Sequence, residues 1–438
     1  MRVVVLGGGS TGEHFVGALR RLDDDVELTL VESRLVGGEC SYYACIPTKT
    51  MLRVAELASS LERAPGLEPE QPRPDGVWTW RDAVTDNWDD TGQLAYLEEN
   101  GCAFVRGRGR VARPGVVEVE GQELEYDRLV IATGSAPAIP PVDGLDGVDY
   151  WTNQDATSAH AVPASLAVMG GGPVGAELAQ FFSRLGSEVT VIERGDHLLG
   201  RVHEEAGDLI ADVFREEGID VRLGVGVERV EPGIRVTLSD GATVEAERLL
   251  VATGRQPTVH DLGFEQLGVT IGKQGIEVDA RLRAAENVWA IGDVNGVALF
   301  THVGKYQARV AAADLAGRDV KADYRAIPAG IFTDPEVATV GRTEGVSARW
   351  DLTSTPRLST YERPKRNGFV RLFADPGERV LVGAVAVGPQ AAEWLGQLTL
   401  AVRAATPVDV LVDTIQPFPT FSEAIFFALR DLQDALSG

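Results

Sequence analysis

Two cysteines near the start of the chain have the type and spacing for redox chemistry. Cys40 and Cys45 are five positions apart, and Cys102 is the third and last cysteine of the 438 residues. A tetrahedral zinc site needs further ligands, and no cluster of His or Cys accompanies the pair, so we expect no metal. Paired thiols that follow a glycine-rich nucleotide-binding turn predict electron transfer through a dithiol.

Composition excludes several functional classes. The chain has 41 basic and 65 acidic side chains, a net charge of -24, which repels nucleic acid and anionic membranes. No apolar stretch approaches membrane-spanning length, and the first residues lack a signal-peptide pattern. A long chain with few cysteines indicates a reducing compartment. We therefore expect a cytoplasmic, multidomain protein that acts on a small molecule, without binding nucleic acid or inserting into a membrane.

The elements that must position the thiols begin with a repeat of strand, turn and helix. A β-branched run over residues 3–6 leads into a glycine turn, a helical stretch through Leu22, and a second strand over 27–31 that ends at Glu32. This order predicts a dinucleotide site in which the acid binds a ribose hydroxyl. Gly7 is assigned to the tight turn, and Gly9 to the close approach of a pyrophosphate. Gly12 is assigned to the packing of the helix on the strand.

A second copy of this unit follows later in the chain. A strand over 167–169, a glycine turn, a helix over 176–185 and a strand over 188–192 that ends at Glu193 repeat the pattern. The glycines of this turn are Gly170, Gly172 and Gly175. A related Ala-Thr-Gly segment ends each unit. Thr133 and Gly134 belong to the segment of the first unit, and Gly254 belongs to that of the second unit. Internal duplication explains why both the glycine unit and the Ala-Thr-Gly segment occur twice, so the chain is predicted to hold two dinucleotides.

The acid of the second unit bears on the choice of nicotinamide. Glu193 favours NADH, because a 2′-phosphate would meet a like charge there. Arg194 and Arg201 lie just past the same strand, and guanidinium groups are suited to a 2′-phosphate, so NADPH stays open. Two dinucleotides beside a dithiol indicate a relay from nicotinamide to a flavin and on to sulfur.

Three further motifs link the chain to a known family. They are the segment from Gly37-Gly38-Glu39-Cys40 to Cys45-Ile46-Pro47-Thr48-Lys49, the segment Ala290-Ile291-Gly292-Asp293, and the segment Phe332-Thr333-Asp334-Pro335-Glu336-Val337-Ala338-Thr339-Val340-Gly341. With the glycine units, the chain resembles the class I pyridine nucleotide-disulfide oxidoreductases, the group of lipoamide dehydrogenase, glutathione reductase, mycothione reductase and mercuric reductase. The resemblance implies an α/β fold with two Rossmann-like domains, for FAD and NAD(P), and a C-terminal α+β dimerisation domain that forms a homodimer. The implied boundaries are 1–148 and 276–326 for the FAD domain, 149–275 for the NAD(P) domain and 327–438 for the interface domain.

The resemblance also implies roles for single residues. Cys45 would be the sulfur against the flavin, and Cys40 the sulfur that exchanges with substrate. Lys49 would lie near flavin N5 and pair with Glu177. The physical chemistry agrees with these roles, because a nearby cation and a helix N-terminus both lower the pKa of a thiol. Asp293 would hold the ribityl chain of the flavin. The remaining implied flavin contacts are Gly38, Gly292 and His302, the last of which either tunes the flavin or only packs at a helix start.

Two segments depart from the family's pattern. Phe418 stands where the family has a catalytic histidine. A phenyl ring cannot carry a proton, and losing a general acid-base group typically lowers the rate by about 10²- to 10⁴-fold. Glu423 would orient that histidine, but Thr420 three residues earlier predicts a capping box instead. Tyr42 and Tyr43 flank the sulfurs, where they replace lost hydrogen bonds, stack on an aromatic acceptor or fill space.

These residues support three functional hypotheses. In the first, a flavoenzyme passes electrons between NAD(P)H and a disulfide or dithiol other than ordinary lipoamide or glutathione. In the second, which follows from Phe418, it reduces a quinone or another organic acceptor without thiol exchange. In the third, a flavin-loaded protein without turnover serves as an assembly partner, although two intact glycine units argue against it.

Overall fold

The computed structural model describes residues 1–68 and 70–437. Its helices are α1 (Ser10–Arg20), α2 (Gly38–Tyr42), α3 (Cys45–Glu62), α4 (Pro74–Val84), α5 (Thr91–Glu99), α6 (Asn153–Ser158), α7 (Pro173–Arg184), α8 (Glu204–Glu216), α9 (Thr301–Leu315), α10 (Pro356–Tyr361), α11 (Ala391–Trp394), α12 (Gly396–Arg403), α13 (Val408–Val412) and α14 (Ser422–Ala435).

The strands are mostly short. They are β1 (Arg2–Leu6), β2 (Glu27–Glu32), β3 (Cys102–Arg106), β4 (Gly109–Arg113), β5 (Val116–Val119), β6 (Gln122–Glu125), β7 (Arg128–Ile131), β8 (Ser135–Pro137), β9 (Ser165–Met169), β10 (Glu188–Ile192), β11 (Asp220–Arg222), β12 (Val227–Glu231), β13 (Arg235–Leu238), β14 (Thr243–Glu245), β15 (Arg248–Val251), β16 (Arg255–Pro257), β17 (Ile271–Gly272), β18 (Gly275–Ile276), β19 (Arg283–Ala285), β20 (Val288–Ala290), β21 (Pro328–Ile331), β22 (Glu336–Gly341), β23 (Val346–Asp351), β24 (Phe369–Ala374) and β25 (Leu381–Gly388).

The first of two compact units combines residues 1–48, 79–138 and 254–323. Its main sheet has the order β19-β20-β7-β1-β2-β3, in which all strands but β19 run parallel. Val3 and Val5 enter one buried cluster of side chains, while Val4 and Leu6 enter another. A parallel strand covered on both faces requires such an uninterrupted apolar run, which is why residues 3–6 form the centre of this sheet.

The second unit combines residues 49–78, 139–253 and 324–438. It repeats the pattern in a parallel sheet of order β11-β10-β9-β15, where Leu166 and Val168 face one cluster and Ala167 and Met169 the other. It also contains an antiparallel sheet of order β21-β22-β25-β24-β23, against which α14 packs.

The fold-class prediction is confirmed. Two parallel sheets with their crossover helices account for the two predicted repeats, and the C-terminal part is a mixed α and β layer. The predicted limits shift by a few residues: the first helix ends at Arg20 instead of Leu22, and α7 begins at Pro173 instead of Ala176. Proline is favoured in the first turn because its missing N–H has no intrahelical partner there.

Candidate functional site

The first glycine turn joins β1 to α1 in the first unit, and each glycine in it meets a different constraint. Gly7 has φ of +111°, and an added Cβ would lie 2.3 Å from the Ala132 carbonyl oxygen. A Cβ on Gly12 would lie 2.1 Å from the Gly7 oxygen, so this glycine lets α1 approach the strand. A Cβ on Gly9 would meet no atom of the described residues within 4 Å, so the backbone is open there to a ligand.

The second glycine turn joins β9 to α7 in the second unit and repeats this geometry. Gly170 has φ of +109°, and a Cβ on Gly175 would lie 1.9 Å from the Gly170 oxygen. A Cβ on Gly172 would again find no atom of the described chain within 4 Å. Both turns therefore place an open stretch of backbone at a helix N-terminus, where a pyrophosphate can bind.

The acids that end the second strand of each repeat bind the turn itself. Glu32 Oε2 accepts a hydrogen bond from Gly8 N at 2.8 Å, and Glu193 Oε2 accepts one from Gly171 N at 2.6 Å. The other oxygen of Glu193 accepts from Gly195 N at 2.7 Å. Each carboxylate is thereby fixed beside the open backbone of its turn, and its contact with a ribose stays a prediction.

A polar chain lies beside the family motif around Asp293 in the first unit. Ser135 Oγ donates to Asp293 Oδ2 at 2.6 Å, and Arg255 Nε donates to Ser135 Oγ at 2.7 Å. Arg255 Nη2 also lies 2.7 Å from Glu39 Oε2. Burial raises the pKa of Asp293, against the lowering effect of the Ser135 hydrogen bond. Sequence reasoning missed Ser135, Arg255 and Glu39, although Ser135 and Arg255 are the residues that directly follow the two Ala-Thr-Gly segments and differ in type.

Backbone strain marks the remaining glycines of the motifs. The glycines with left-handed φ are Gly38 (+65°), Gly134 (+69°), Gly254 (+127°) and Gly292 (+80°). A Cβ on Gly38 would lie 2.8 Å from Gly9 Cα, which brings the cysteine segment onto the first glycine turn. Thr133 Oγ1 donates to the Thr258 carbonyl oxygen at 2.7 Å and ties together the two closing segments.

The two thiols lie on consecutive helices, Cys40 in the short α2 and Cys45 at the start of α3, and both belong to the first unit. Both are half-buried free thiols. Cys45 Sγ lies 3.3 Å from the hydroxyl of Thr301, which begins α9. A hydrogen bond with Cys45, and then burial, raise the pKa of the Cys40 thiol.

Tyr42 packs inside the first unit. Its residue surface is 1% exposed, and its hydroxyl donates to Gln93 Oε1 at 3.0 Å and to the Asp89 carbonyl oxygen at 3.3 Å. Burial raises the pKa of this phenol to about 12. A ring held in this way fills space, so the geometry favours that alternative over stacking on an acceptor. Tyr43 lies beside it, with the Arg34 guanidinium 5.1 Å from its ring centre.

Lys49 and Glu177 are in contact in the second unit. Lys49 Nζ lies 2.7 Å from Glu177 Oε2 and 5.0 Å from the centre of the Phe332 ring. The other oxygen of Glu177 accepts from Phe332 N at 2.9 Å. Glu177 is buried, so its charge is balanced by the lysine and by this N–H. Phe332 belongs to a motif quoted from the sequence, but its contact with Lys49 was not foreseen.

His302 is the second residue of α9. Its ring is exposed and stacks on Phe300, with ring centres 5.2 Å apart. This packing at a helix start fits the simpler of the two alternatives for His302, while a role at the flavin stays a prediction.

The C-terminal segment differs from the capping-box prediction, which was wrong. Helix α14 begins at Ser422, and its first turn has no side-chain cap in the described part of the chain. The Thr420 hydroxyl donates instead to the Pro417 carbonyl oxygen at 2.7 Å. Glu423 Oε2 is buried and has no hydrogen-bond partner among residues 1–68 and 70–437. Phe418 is 72% exposed.

Two negative findings concern the described residues alone. No group of three or more His, Cys, Asp or Glu side chains among them is arranged to hold a metal ion. None of their helices combines the length and apolar character that crossing a membrane needs.

The residues present fit both cofactors implied by the sequence. Each glycine turn forms a cradle in which an added Cβ would either fill open space or strain the backbone. A carboxylate held by a hydrogen bond from the turn lies beside each cradle. The half-buried Asp293 has a hydroxyl and a guanidinium within reach, which suits the polar chain of a flavin.

Comparisons with known proteins agree with this geometry. The family model "Pyridine nucleotide-disulphide oxidoreductase" matches residues 1–316, and that of the family's dimerisation domain matches residues 327–428. The chain is 33% identical over 451 residues to dihydrolipoyl dehydrogenase 2 of Haloarcula marismortui, covering 97% of this chain and 94% of that one. It is 32% identical over 456 residues to mercuric reductase of Shigella flexneri, covering 98% and 80%. The crystal structure of LpdA from Mycobacterium tuberculosis superposes with a TM-score of 0.89 at 28% identity, covering 99% of each chain.

The first family model spans both glycine turns and the thiol pair, and the second spans the antiparallel sheet and the first half of α14. Together they cover more than half of the chain, and the relatives match it over nearly its full length. This chain therefore belongs to the class I pyridine nucleotide-disulfide oxidoreductases, as an FAD-dependent enzyme that uses NAD(P)H and has the family's dimerisation domain.

Proposed function

We propose that the enzyme moves electrons between NAD(P)H and a small disulfide or dithiol through Cys40 and Cys45. The observation that supports this is the thiol pair itself: the sulfurs are hydrogen-bonded to each other, half-buried, and next to Thr301. Cys45 begins a helix of 18 residues, whose N-terminal dipole stabilises a thiolate. In this proposal, Cys45 faces the flavin and Cys40 exchanges with substrate.

Bound FAD supplies two-electron transfer between the nicotinamide and sulfur. We assign its pyrophosphate to the turn with Gly7, Gly9 and Gly12, and its ribose to Glu32. The ribityl side is assigned to Asp293, with Ser135 and Arg255 behind it. The further flavin contacts in this proposal are Gly38, Thr133, Gly134, Gly292 and His302, and Gly254 closes the nicotinamide unit.

NADH is proposed as the favoured nicotinamide. Both oxygens of Glu193 are held by backbone N–H groups, so the negative charge stays where a 2′-phosphate would lie. Arg194 is exposed, and its Nε would lie 3.5 Å from a Cβ on Gly226, so its guanidinium lies beside that glycine. Gly170, Gly172 and Gly175 form the phosphate cradle of this site.

Lys49 and Glu177 are proposed as a positioning pair. The buried carboxylate holds the ammonium at 2.7 Å, and an ammonium presented at flavin N5 favours negative charge there. The domain limits proposed are those expected from the sequence, with a homodimer in which the partner completes each site through the segment of Phe418 and Glu423. We also propose a cytoplasmic location, since a long chain with few cysteines is typical of a reducing compartment.

The test of this function is an anaerobic titration with NADH, compared in wild type and in Cys45→Ser and Cys40→Ser variants. Wild type is expected to take up two electrons in the dithiol beyond those of the flavin, with a long-wavelength thiolate–flavin absorbance. Cys45→Ser is expected to lose that absorbance, while Cys40→Ser keeps it. Uptake of flavin electrons alone by wild type, with unchanged turnover in Cys45→Ser, would overturn the proposal.

A second candidate function is reduction of a quinone or another flat organic acceptor. The observation that favours it is the segment around Phe418, where Phe418 is 72% exposed and Ile415 is almost fully exposed. Large apolar surfaces of this kind bind apolar ligands or partners. Turnover of a panel of quinones, equal in wild type and Cys40→Ser, is expected if this candidate is right, and no turnover with any of them would exclude it.

A further inference from the structure

The thiols lie in residues 36–46, the redox segment, which has little anchoring of its own. Between Gly37 and Pro47, Tyr42 is the only buried residue, and the structure describes every residue of this stretch. Helix α2 has five residues, and its first turn has no side-chain cap from the described chain. A helix this short is not stable by itself, so contacts from outside the segment must fix where Cys40 lies.

Tyr42 provides such a contact within the first unit. Its ring packs on the turn before α2, since a Cβ on Gly37 would lie 3.1 Å from Tyr42 Cε2. Its hydroxyl is shared between Gln93 Oε1 at 3.0 Å and the Asp89 carbonyl oxygen at 3.3 Å. Burial raises the pKa of the phenol to about 12, so at neutral pH the hydroxyl keeps the proton that it donates.

The acceptors for Tyr42 follow a strained turn. Three consecutive residues other than glycine have left-handed φ values, namely Asp86 (49°), Asn87 (53°) and Trp88 (59°). Aspartate and asparagine tolerate this conformation, but a bulky tryptophan rarely adopts it. Trp88 N donates to the Thr85 carbonyl oxygen at 2.8 Å, and the Arg81 guanidinium lies 5.3 Å from the Trp88 ring centre. Strain that the surroundings maintain in this way points to a function for the residues that the turn places.

The turn places two consecutive residues against the redox segment. The Asp89 carbonyl oxygen accepts from the Tyr42 hydroxyl, and Asp90 Oδ2 accepts from Val36 N at 2.8 Å. Asp90 is buried, which shields its bond from water. The redox segment is therefore held on both sides of Cys40, four residues before it and two residues after it.

We propose that Tyr42, held by Gln93 and Asp89, is the positioning residue of the thiol pair. The two sulfurs are hydrogen-bonded to each other. A fixed α2 keeps the Cys40 sulfur beside that of Cys45 and so raises the effective concentration of one thiol at the other, which favours the disulfide over the dithiol. Loss of the Tyr42 contact should therefore shift the equilibrium toward the dithiol. The inference rests on the proposed dithiol function and names the residue that positions its sulfurs.

The test uses the full-length holoenzyme, kept anaerobic and equilibrated with mixtures of reduced and oxidised dithiothreitol. The protein disulfide takes two electrons and two protons from reduced dithiothreitol, which gives the protein dithiol and the cyclic, oxidised reagent. Thiols are trapped by alkylation at each ratio of the two reagents. Trypsin cleaves after Arg34 and Lys49, so the mass of the peptide 35–49 reports both cysteines and gives the equilibrium constant.

Two variants remove the hydroxyl contact from its two sides. Tyr42→Phe removes the donor and keeps the ring, and Gln93→Leu removes one of the two acceptors. Tyr96→Phe is the matched control, because it removes a phenol hydroxyl of the same unit that lies against α1 instead. A Cβ on Gly17 of that helix would lie 1.9 Å from the Tyr96 hydroxyl.

Tyr42→Phe is expected to shift the equilibrium constant about fivefold toward the dithiol, the factor that one net hydrogen bond contributes. Gln93→Leu should shift it less, because Asp89 still accepts, and the double variant should shift it no further than Tyr42→Phe. Tyr96→Phe should match wild type. An unchanged constant in Tyr42→Phe, even with a lower free energy of unfolding, would overturn the positioning role. A shift toward the disulfide, or an equal shift in Tyr96→Phe, would do the same.

The two proposals fail in different ways. The equilibrium with dithiothreitol does not depend on NADH, so it reports on the thiols alone. If NADH leaves the disulfide oxidised but Tyr42→Phe shifts the constant, the proposed function is wrong and the positioning role stands. If NADH reduces the cysteines and the constant is the same in Tyr42→Phe, the positioning role is wrong and the function stands.

Discussion

The ion pair between Lys49 and Glu177 allows a quantitative prediction. Glu177→Gln removes the negative charge but keeps a side-chain oxygen for the Phe332 N–H, which now donates to Glu177 at 2.9 Å. Lys49→Met removes the ammonium and leaves a buried carboxylate without its cation. The pair can therefore be taken apart from either side with little change of shape.

The expected cost follows from how unequally the two partners are exposed. The Glu177 side chain is 5% exposed and that of Lys49 is 34% exposed, at 2.7 Å. Breaking a fully buried pair costs about 3–5 kcal/mol, and an exposed pair contributes about 0.2–1 kcal/mol. Because solvent screens the partly exposed lysine, the contribution of this pair should lie between the values for buried and exposed pairs. Glu177→Gln is therefore expected to lower the free energy of unfolding by about 2 kcal/mol. Glu177→Ala also loses the acceptor of the Phe332 N–H, which adds about 1 kcal/mol.

A double-mutant cycle with Lys49→Met and Glu177→Gln measures the coupling by urea unfolding. We expect a coupling of about 1–2 kcal/mol. The matched control is Arg222 with Asp220, an ion pair of the same unit at 2.8 Å in which each side chain is 46% exposed. The cycle of Arg222→Met and Asp220→Asn is expected to show no measurable coupling. A Lys49–Glu177 coupling no larger than that of the control would refute this account of the pair.

Three further predictions concern single residues. Glu193→Gln is expected to raise the ratio of kcat/KM for NADPH over NADH about tenfold, because a like charge beside the 2′-phosphate is removed; an unchanged ratio would contradict the NADH assignment. Phe418→His is expected to raise turnover of an alkyl disulfide by about 10²-fold and to add a limb to its pH profile, since a proton carrier returns to the segment. Glu336 has its pKa raised by burial from an ordinary 4.5 to about 7, so its ionised form destabilises the fold above that pH and not below 4.5. The gain in unfolding free energy of Glu336→Gln, measured by urea unfolding, should therefore grow between these pH values to about 3 kcal/mol and then level off.

The features that were predictable from sequence are those fixed by local sterics. Gly7 and Gly12 are dictated by a positive φ and by a carbonyl 2.1 Å from an added Cβ, constraints that a spacing pattern records directly. The apolar run over residues 3–6 predicted a strand, and the structure buries that strand on both faces, which requires every side chain in it to be apolar.

What could not be predicted depends on contacts between distant parts of the chain. The direction of the Tyr42 side chain is set by Asp89 and Gln93, which no local pattern connects to it. The capping box failed because α14 begins one residue too late for Thr420, whose hydroxyl already donates to Pro417. A four-residue sequence pattern shows which side chains could form a capping box. The residue at which the helix begins decides whether they form it.

The two acids that we propose to bind ribose also show why the choice of substitution decides what an experiment measures. Glu32 and Glu193 each accept a hydrogen bond from the glycine turn of their own repeat, at 2.8 and 2.6 Å, so each carboxylate supports the cradle that it serves. An alanine at Glu193 would release Gly171 N–H and disturb the phosphate site, which weakens NADH and NADPH alike. A glutamine keeps an acceptor for that N–H and removes the charge alone. A change in the ratio of the two nicotinamides in Glu193→Gln, with little loss of NADH binding, therefore reports on the 2′ position and not on the turn.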